Sequence, residues 1–220
     1  MKRFIPIALF SLLALSSCDK YDDIDNTNER VGISRVVFYP TIAITGDRFI
    51  ILRQGEAFTD PGAVASLNGE PAQYTVGAVN TAVPGVYELE YRAANPEGYA
   101  ATDWRTVVVI GNDVIGKDLS GSYLRPGFAV STWTKTAEGV YSVDNPGGAA
   151  SGIGYKVVAV NYTGNKIKIP RQFATDPAVG SPAIVSSTSE SYDPTSSPVK
   201  YFWAFLAGGY GSQVREFRKQ

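Results

Sequence analysis

Short segments in which apolar and polar residues alternate recur along the chain, and they predict β-strands. In residues 86–92 the apolar side chains of Tyr87, Leu89 and Tyr91 alternate with charged ones, so one face of this strand should be buried and the other solvated. Residues 102–110 end in a β-branched run that is also typical of a strand. No segment shows convincing helical periodicity. The pattern predicts an all-β protein.

The N-terminus has a different pattern. A positive pair, Lys2 and Arg3, precedes an apolar run over 4–15 that is too short to span a bilayer. The sequence Leu-Ser-Ser that follows ends at Cys18 and resembles a bacterial lipobox, in which the peptidase cuts before the cysteine and lipids are attached to it. We predict a lipoprotein signal peptide and lipobox over 1–18, with Cys18 lipidated. The alternative is an ordinary signal peptide with an incidental cysteine.

The segment that follows the cysteine is acidic. Residues 19–32 carry several aspartates and few apolar side chains, which predicts a solvated tether. The segment resembles the acidic export signal of surface lipoproteins in Bacteroidota, and the alternative is a spacer with no sorting role.

Composition narrows the chemistry. With 20 basic and 21 acidic residues the net charge is −1, which argues against a nucleic-acid binder. The chain has no His, so catalysis by a Ser-His-Asp or Cys-His arrangement and any metal site with a histidine ligand are excluded. A single Cys excludes an intramolecular disulfide. We expect no metal, no cofactor and no catalytic residues.

We predict a first domain over 33–111, an immunoglobulin-like β-sandwich. Gly85-Val86-Tyr87 has the spacing of a tyrosine corner, and Leu89 stands where an antibody domain has its second cysteine. The motif Gly-Glu-Ala-Phe-Thr-Asp-Pro-Gly-Ala over 55–63, the Pro-Gly-x-Tyr strand and the Arg-x-Val-x-Val strand over 105–109 occur in the order of a bacterial immunoglobulin-like family. The resemblance implies a spacer or adhesion module without chemistry.

We predict a second all-β domain over 114–220, either a sandwich or a small barrel. The strand over 201–206 is too apolar for a surface and should be central. The Ser, Thr and Pro-rich residues 175–198 are expected to form a long loop with one short strand at 183–185. With its Leu-x-Gly-x-Tyr start, this half resembles the C-terminal domain that accompanies the immunoglobulin-like module in two-domain lipoproteins near glycan-uptake systems of the starch-utilisation type.

Glycan binding uses flat aromatic faces beside polar side chains, and three aromatic residues lie near turn-rich or Gly-rich segments. These candidates are Trp133, Tyr192 and Tyr210. For Trp133 core packing and binding are equally favoured, whereas for each tyrosine packing at the edge of the core is favoured over binding. Trp203 is expected in the core. Most carboxylates of the second domain lie in turns, so a glycoside hydrolase is not favoured.

These patterns lead to a hypothesis of a non-catalytic lipoprotein of the outer membrane. It would be lipid-anchored, facing the cell surface or alternatively the periplasm, and would bind a polysaccharide or assist an outer-membrane transporter in glycan uptake. The alternative is a structural subunit of a surface or transport assembly that binds only protein. An exposed aromatic platform would favour the first, and an apolar patch or unpaired edge strand the second.

Overall fold

A computed structural model describes Thr27 and residues 30–31, 34–151 and 154–220 of the chain. It divides into two units, residues 1–38 and 39–220. In the first unit β1 (Arg30–Val31) pairs antiparallel with β2 (Ser34–Arg35). The predicted signal peptide and Cys18 lie outside the described residues, as does most of the predicted tether.

The N-terminal half of the second unit consists of two three-stranded sheets. One has the order β3-β5-β6, with β3 (Thr41–Ile44), β5 (Ala63–Leu67) and β6 (Glu70–Pro71). The other has the order β4-β8-β7, with β4 (Phe49–Arg53), β7 (Gly85–Ala94) and β8 (Ala100–Ile110). In the second sheet β4 runs parallel to β8, and β7 is antiparallel to β8.

The predicted tyrosine corner is confirmed. The Tyr87 hydroxyl donates to the carbonyl of Val83 at 2.8 Å and lies 3.0 Å from that of Asn80, which fixes the entry into β7. Leu89, two residues on, is buried in the core between the sheets together with Tyr91. An apolar side chain thus occupies the position of the antibody cysteine, as the sequence predicts.

The motif residues hold this domain together through a buried ion pair. The guanidinium of Arg105 is fully buried and donates to the carboxylate of Asp60 and to the carbonyl of Thr45. The hydroxyl of Tyr91 donates to the same carboxylate at 2.6 Å. Asp60 belongs to the motif over 55–63 and Arg105 to the strand motif over 105–109, so this ion pair connects the first family motif to the last.

The C-terminal half is one nine-stranded sheet. After a short 3₁₀ turn (Asn112–Val114), its strands occur in the spatial order β13-β12-β11-β10-β9-β17-β16-β15-β14, and every neighbouring pair is antiparallel. The strands are β9 (Gly121–Leu124), β10 (Val130–Ala137), β11 (Val140–Asp144), β12 (Lys156–Thr163), β13 (Lys166–Lys168), β14 (Gln172–Thr175), β15 (Pro182–Asp193), β16 (Lys200–Leu206) and β17 (Arg215–Lys219).

This sheet curls until its two ends meet. The Ser187 backbone N–H donates to the carbonyl of Ile169, and the Ile169 N–H donates to Ser187 Oγ at 2.7 Å. Nearby, the amide side chain of Gln172 bonds both the N–H and the carbonyl of Val158, at 2.8 and 2.7 Å. Of the two predicted alternatives, the barrel-like one is the one observed, and the all-β prediction is confirmed.

The prediction of a long loop over 175–198 is wrong. Twelve of these residues form β15, the longest strand of the nine-stranded sheet, which pairs with β14 and β16. Its Ser and Thr side chains are largely at the surface, and a bulge between Thr188 and Ser191 interrupts its register. Because these side chains are polar on both faces, the sequence lacks the apolar alternation that identifies a half-buried strand.

The two halves pack against each other through β8. Val107 faces the core of the first domain, whereas Val108 and Ile110 pack on Val140 and Val160 of the curled sheet. Both faces of this strand are therefore buried, which explains its continuous β-branched run.

Candidate functional site

The three predicted aromatic residues have different surroundings. Trp133 is only 2% exposed and its ring stacks on Trp203, with centroids 5.3 Å apart and planes 17° apart. Tyr201 covers it further at 5.2 Å. A sugar platform needs an open ring face. The structure therefore places Trp133 in the core, and it does not bring the three candidates together in one site.

Tyr210 lies in an open groove of about 430 Å³ beside the loop between β16 and β17. We call it the Tyr210 groove. It is lined by Ala149, Ser151, Tyr155, Asp176, Pro177, Ala178, Gly208 and Tyr210. Tyr155 directly precedes β12, and Asp176 directly follows β14, so strand ends position the polar groups of the groove.

The polar centre of this groove is a tyrosine–carboxylate pair. The hydroxyl of Tyr155 donates to Asp176 Oδ2 at 2.6 Å, and the backbone N–H of Ala178 donates to Oδ1 at 2.8 Å. The Tyr155 hydrogen bond is the main cause of a pKa of Asp176 below its ordinary value. Burial, followed by the bond to Asp176, raises the pKa of Tyr155 to about 12. At neutral pH the groove therefore contains an ionised acceptor beside a neutral phenol.

The ring of Tyr210 is held in place by its neighbours. It meets Phe205 and Tyr155 edge-on, at centroid distances of 5.0 and 5.9 Å. It also lies against the backbone of Gly147, where a Cβ would come within 1.9 Å of the ring carbon Cε1. Tyr210 remains half-buried, so part of it faces the groove.

Tyr192 lies in a second groove, of about 570 Å³, next to the turn between β12 and β13. Its lining consists of Tyr162, Asn165, Lys166, Ile167, Glu190, Ser191 and Tyr192. Glu190 receives hydrogen bonds from Ser187 Oγ at 2.6 Å and from Lys168 Nζ at 3.2 Å. Its carboxylate is therefore already bound within the protein, and the Tyr192 ring packs on the barrel core.

Sequence reasoning missed one exposed aromatic pair and underrated Asp176. Tyr39 and Tyr99 are 63% and 50% exposed, with ring centroids 5.1 Å apart. They lie 60 positions apart along the chain, so only the fold brings them together. Asp176 is one of the carboxylates of the second domain that the sequence places in turns. Its Oδ1 does accept the N–H of Ala178 in a turn, but the same carboxylate also lines the groove.

Two further observations concern the part of the chain that the structure describes. It contains no cluster of three or more His, Cys, Asp or Glu side chains that would hold a metal ion. It also contains no helix long and apolar enough to cross a membrane.

The fold of the first domain agrees with a comparison with known families. Residues 42–109 match the family of immunoglobulin-like domains from bacterial surface proteins, which confirms the resemblance for this part of the chain. The matched segment is less than a third of the chain.

Among solved structures, the chain is similar to the lipoprotein BT2262 from Bacteroides thetaiotaomicron, with 24% identity and a TM-score of 0.37. The alignment covers 83% of this chain and 100% of that one. No curated protein matches the chain.

Proposed function

We propose that this protein is a non-catalytic surface lipoprotein that binds glycan in the Tyr210 groove. The observation that carries the proposal is the half-buried Tyr210 ring beside the ionised carboxylate of Asp176 in an open groove. An aromatic face packs on the C–H groups of a sugar ring, while a carboxylate accepts hydrogen bonds from its hydroxyls. The volume of 430 Å³ is within the range of about 300–1,000 Å³ that is typical of ligand sites.

The groove is better suited to binding than to hydrolysis. Glycoside hydrolysis generally uses two carboxylates about 5–10 Å apart, one of them held protonated. Asp176 is the only carboxylate that lines the described groove, and its pKa is lowered, which is the wrong direction for a general acid. Gly152 and Ile153, which follow the lining residue Ser151, contribute no carboxylate.

The proposed location is the outer membrane, with Cys18 as the lipid-bearing residue and the folded domains at the cell surface. The lipobox pattern and the match of residues 42–109 to a surface-protein domain support this location. Mass spectrometry of the N-terminal peptide from membranes should find acyl chains on Cys18 and residues 1–17 removed. A soluble, unacylated protein would contradict the anchor, and protease treatment of whole cells would distinguish the surface from the periplasmic face.

The experiment on glycan binding compares two tyrosine variants. Full-length protein purified in detergent is run through gels that contain a panel of polysaccharides, alongside Tyr210→Ala and the control Tyr192→Ala. We expect at least one polysaccharide to retard the wild type and the control, and Tyr210→Ala to migrate freely. Thermal unfolding of each variant shows whether the fold is intact. If no polysaccharide retards the wild type, glycan binding is refuted.

The protein-only alternative also has an observation in its favour. Phe173 and Ile184 are cross-strand partners at the edge of the curled sheet and are 50% and 47% exposed. Phe173 is on the last strand of the sheet, β14, and Ile184 is on its neighbour β15, and an exposed apolar pair at a sheet edge is typical of a contact surface for another protein. If this alternative holds, a photo-reactive residue at position 173 should form a specific cross-link to a partner protein in intact cells. If the Phe173–Ile184 pair has no partner, no such cross-link should form.

A further inference from the structure

We infer that the glycan bound in the Tyr210 groove is acidic, and that Arg125, with Arg215 behind it, binds its carboxylate or sulfate group. This inference rests on the proposed function and specifies its ligand class. The observation that carries it is a pair of neighbouring arginines beside the groove without a carboxylate partner among the described residues.

Arg215 is buried and has no carboxylate partner within the described part of the chain. It is only 7% exposed, and its Nη1 and Nη2 donate to the backbone carbonyls of Gln213 and Tyr210. Its Nε is buried and has no hydrogen-bond partner among the described residues. Carbonyl dipoles stabilise a guanidinium but do not neutralise it, so this site keeps a positive charge in a region of low dielectric.

Arg125 adds a second positive charge. Its Nη1 lies 3.2 and 3.4 Å from the carbonyls of Gly147 and Gly148, and its guanidinium packs on the ring of Phe128 at 3.7 Å. Burial, and then the charge of Arg215, lowers the pKa of Arg125. Unlike Arg215, Arg125 is only partly buried, so a ligand can reach it.

The absence of a carboxylate partner distinguishes this pair from the other buried and partly buried arginines among the described residues, since Arg53 and Arg92, which also lack one, are exposed. Arg48, Arg105, Arg171 and Arg218 each lie within 4 Å of an Asp or Glu oxygen. No such ion pair is found for Arg125 or Arg215 in residues 34–151 and 154–220, and the nearby Asp176 is bonded to Tyr155 instead. A bound anion would offset the repulsion between the two cations.

The arginine pair and the groove share their supporting backbone. Arg215 donates a hydrogen bond to the carbonyl of Tyr210, and Arg125 donates to the carbonyls of Gly147 and Gly148. The backbone of Gly147 in turn packs against the Tyr210 ring. Neither arginine lines the groove itself, but the guanidinium carbon of Arg215 lies 5.6 Å from the centroid of the Tyr210 ring. In the proposed complex a substituent of the sugar ring on Tyr210 extends beyond the groove to the guanidinium of Arg125. A carboxylate or a sulfate has the acceptor geometry that a guanidinium fork binds.

The test measures dissociation constants of the full-length protein for immobilised polysaccharides in matched neutral and acidic pairs. The pairs are dextran and dextran sulfate, hydroxyethyl and carboxymethyl cellulose, and methyl-esterified and de-esterified pectin. Arg125→Gln removes the charge, and Arg92→Gln removes an equal charge from an exposed position in the first domain. Arg125→Lys keeps the positive charge but loses the planar guanidinium that can donate two parallel hydrogen bonds to an anion.

We expect the wild type to prefer an acidic member and Arg125→Gln to bind it at least about tenfold more weakly, because a charge-assisted hydrogen bond is lost. Arg92→Gln should match the wild type, and Arg125→Lys should lie between. Equal affinity for both members, or no effect of Arg125→Gln, would overturn the inference and leave glycan binding intact. No affinity for any polysaccharide would refute the proposed function, and this inference with it.

Discussion

The buried pair of Arg105 and Asp60 should control the stability of the first domain, and Asp60→Asn tests it. The substitution keeps the size of the side chain and still offers an acceptor to the Tyr91 hydroxyl, so only the negative charge is lost. Arg105, which is fully buried, then has no carboxylate partner among the described residues and keeps only neutral acceptors, the amide oxygen at position 60 and the carbonyls of Thr45 and Gly62.

The magnitude follows from the burial of the two partners. Removing one partner of a buried ion pair costs about 3–5 kcal/mol, because the remaining charge is left uncompensated. The Asp60 side chain is 24% exposed, so water partly screens the pair, and two carbonyls continue to solvate the guanidinium. We therefore expect a loss at the lower end of that range, about 3 kcal/mol.

Urea denaturation followed by circular dichroism measures this loss as a shift in midpoint at an unchanged slope. The matched control is Glu216→Gln, the same acid-to-amide change at a residue whose ion pairs, with Arg218 and Lys200, have side chains that are 30–48% exposed. An exposed pair contributes at most about 1 kcal/mol, so this variant should unfold close to the wild type.

A second substitution separates the buried charge from other causes. If the loss arises from the uncompensated guanidinium, adding Arg105→Met to Asp60→Asn should restore part of the stability, because the charge itself is removed. The reasoning is refuted if Asp60→Asn costs less than about 1 kcal/mol, if Glu216→Gln costs as much, or if the double variant is less stable than Asp60→Asn alone.

Three further predictions concern the curled sheet. Trp133→Ala should cost about 3–5 kcal/mol in urea denaturation because the ring is packed in the core, and a loss near zero would contradict that placement. Gly147→Ala should displace the Tyr210 ring and lower glycan affinity in the binding assay, whereas unchanged affinity would contradict the close approach. The Tyr155 hydroxyl and two backbone amides hold the pKa of Asp176 below its ordinary value, so this carboxylate stabilises the fold above about pH 4 and loses that effect as the pH falls through its folded pKa. Denaturation of Asp176→Asn should therefore differ from the wild type at pH 7 and converge with it in acid, and a difference independent of pH would refute the assignment.

Much of the fold could be predicted because its strands carry an apolar face. The segments 86–92 and 201–206 are strands in the structure, and the spacing around Tyr87 identified a tyrosine corner. The pairing of β14 with β15 could not be predicted, since β15 is polar on most of its exposed positions and its register depends on neighbours distant in sequence.

The candidate site was predicted only in part, for a related reason. Aromatic residues that pack a core and those that line a groove have the same local sequence pattern, so the sequence alone could not show that Trp133 is in the core and Tyr210 in a groove. Arg125 and Arg215 lie on different strand ends and are ordinary in sequence. What distinguishes them is that they are buried or partly buried and yet have no carboxylate partner in the described fold, and both are properties of tertiary structure.

The two grooves lie at opposite ends of β12, and this placement bears on how the protein would display its ligand. Tyr162, near the last residue of β12, accepts a hydrogen bond from the N–H of Gly111 at the junction with the first domain. Tyr155 precedes the first residue of the same strand, roughly 23 Å away at about 3.3 Å per residue. The Tyr192 groove is therefore close to the junction, and the Tyr210 groove is at the far end. Because β8 packs on β12 through a shared apolar cluster near the junction, the length of β12 separates the Tyr210 groove from the first domain. A polymer that is too large to approach the junction could still reach that groove.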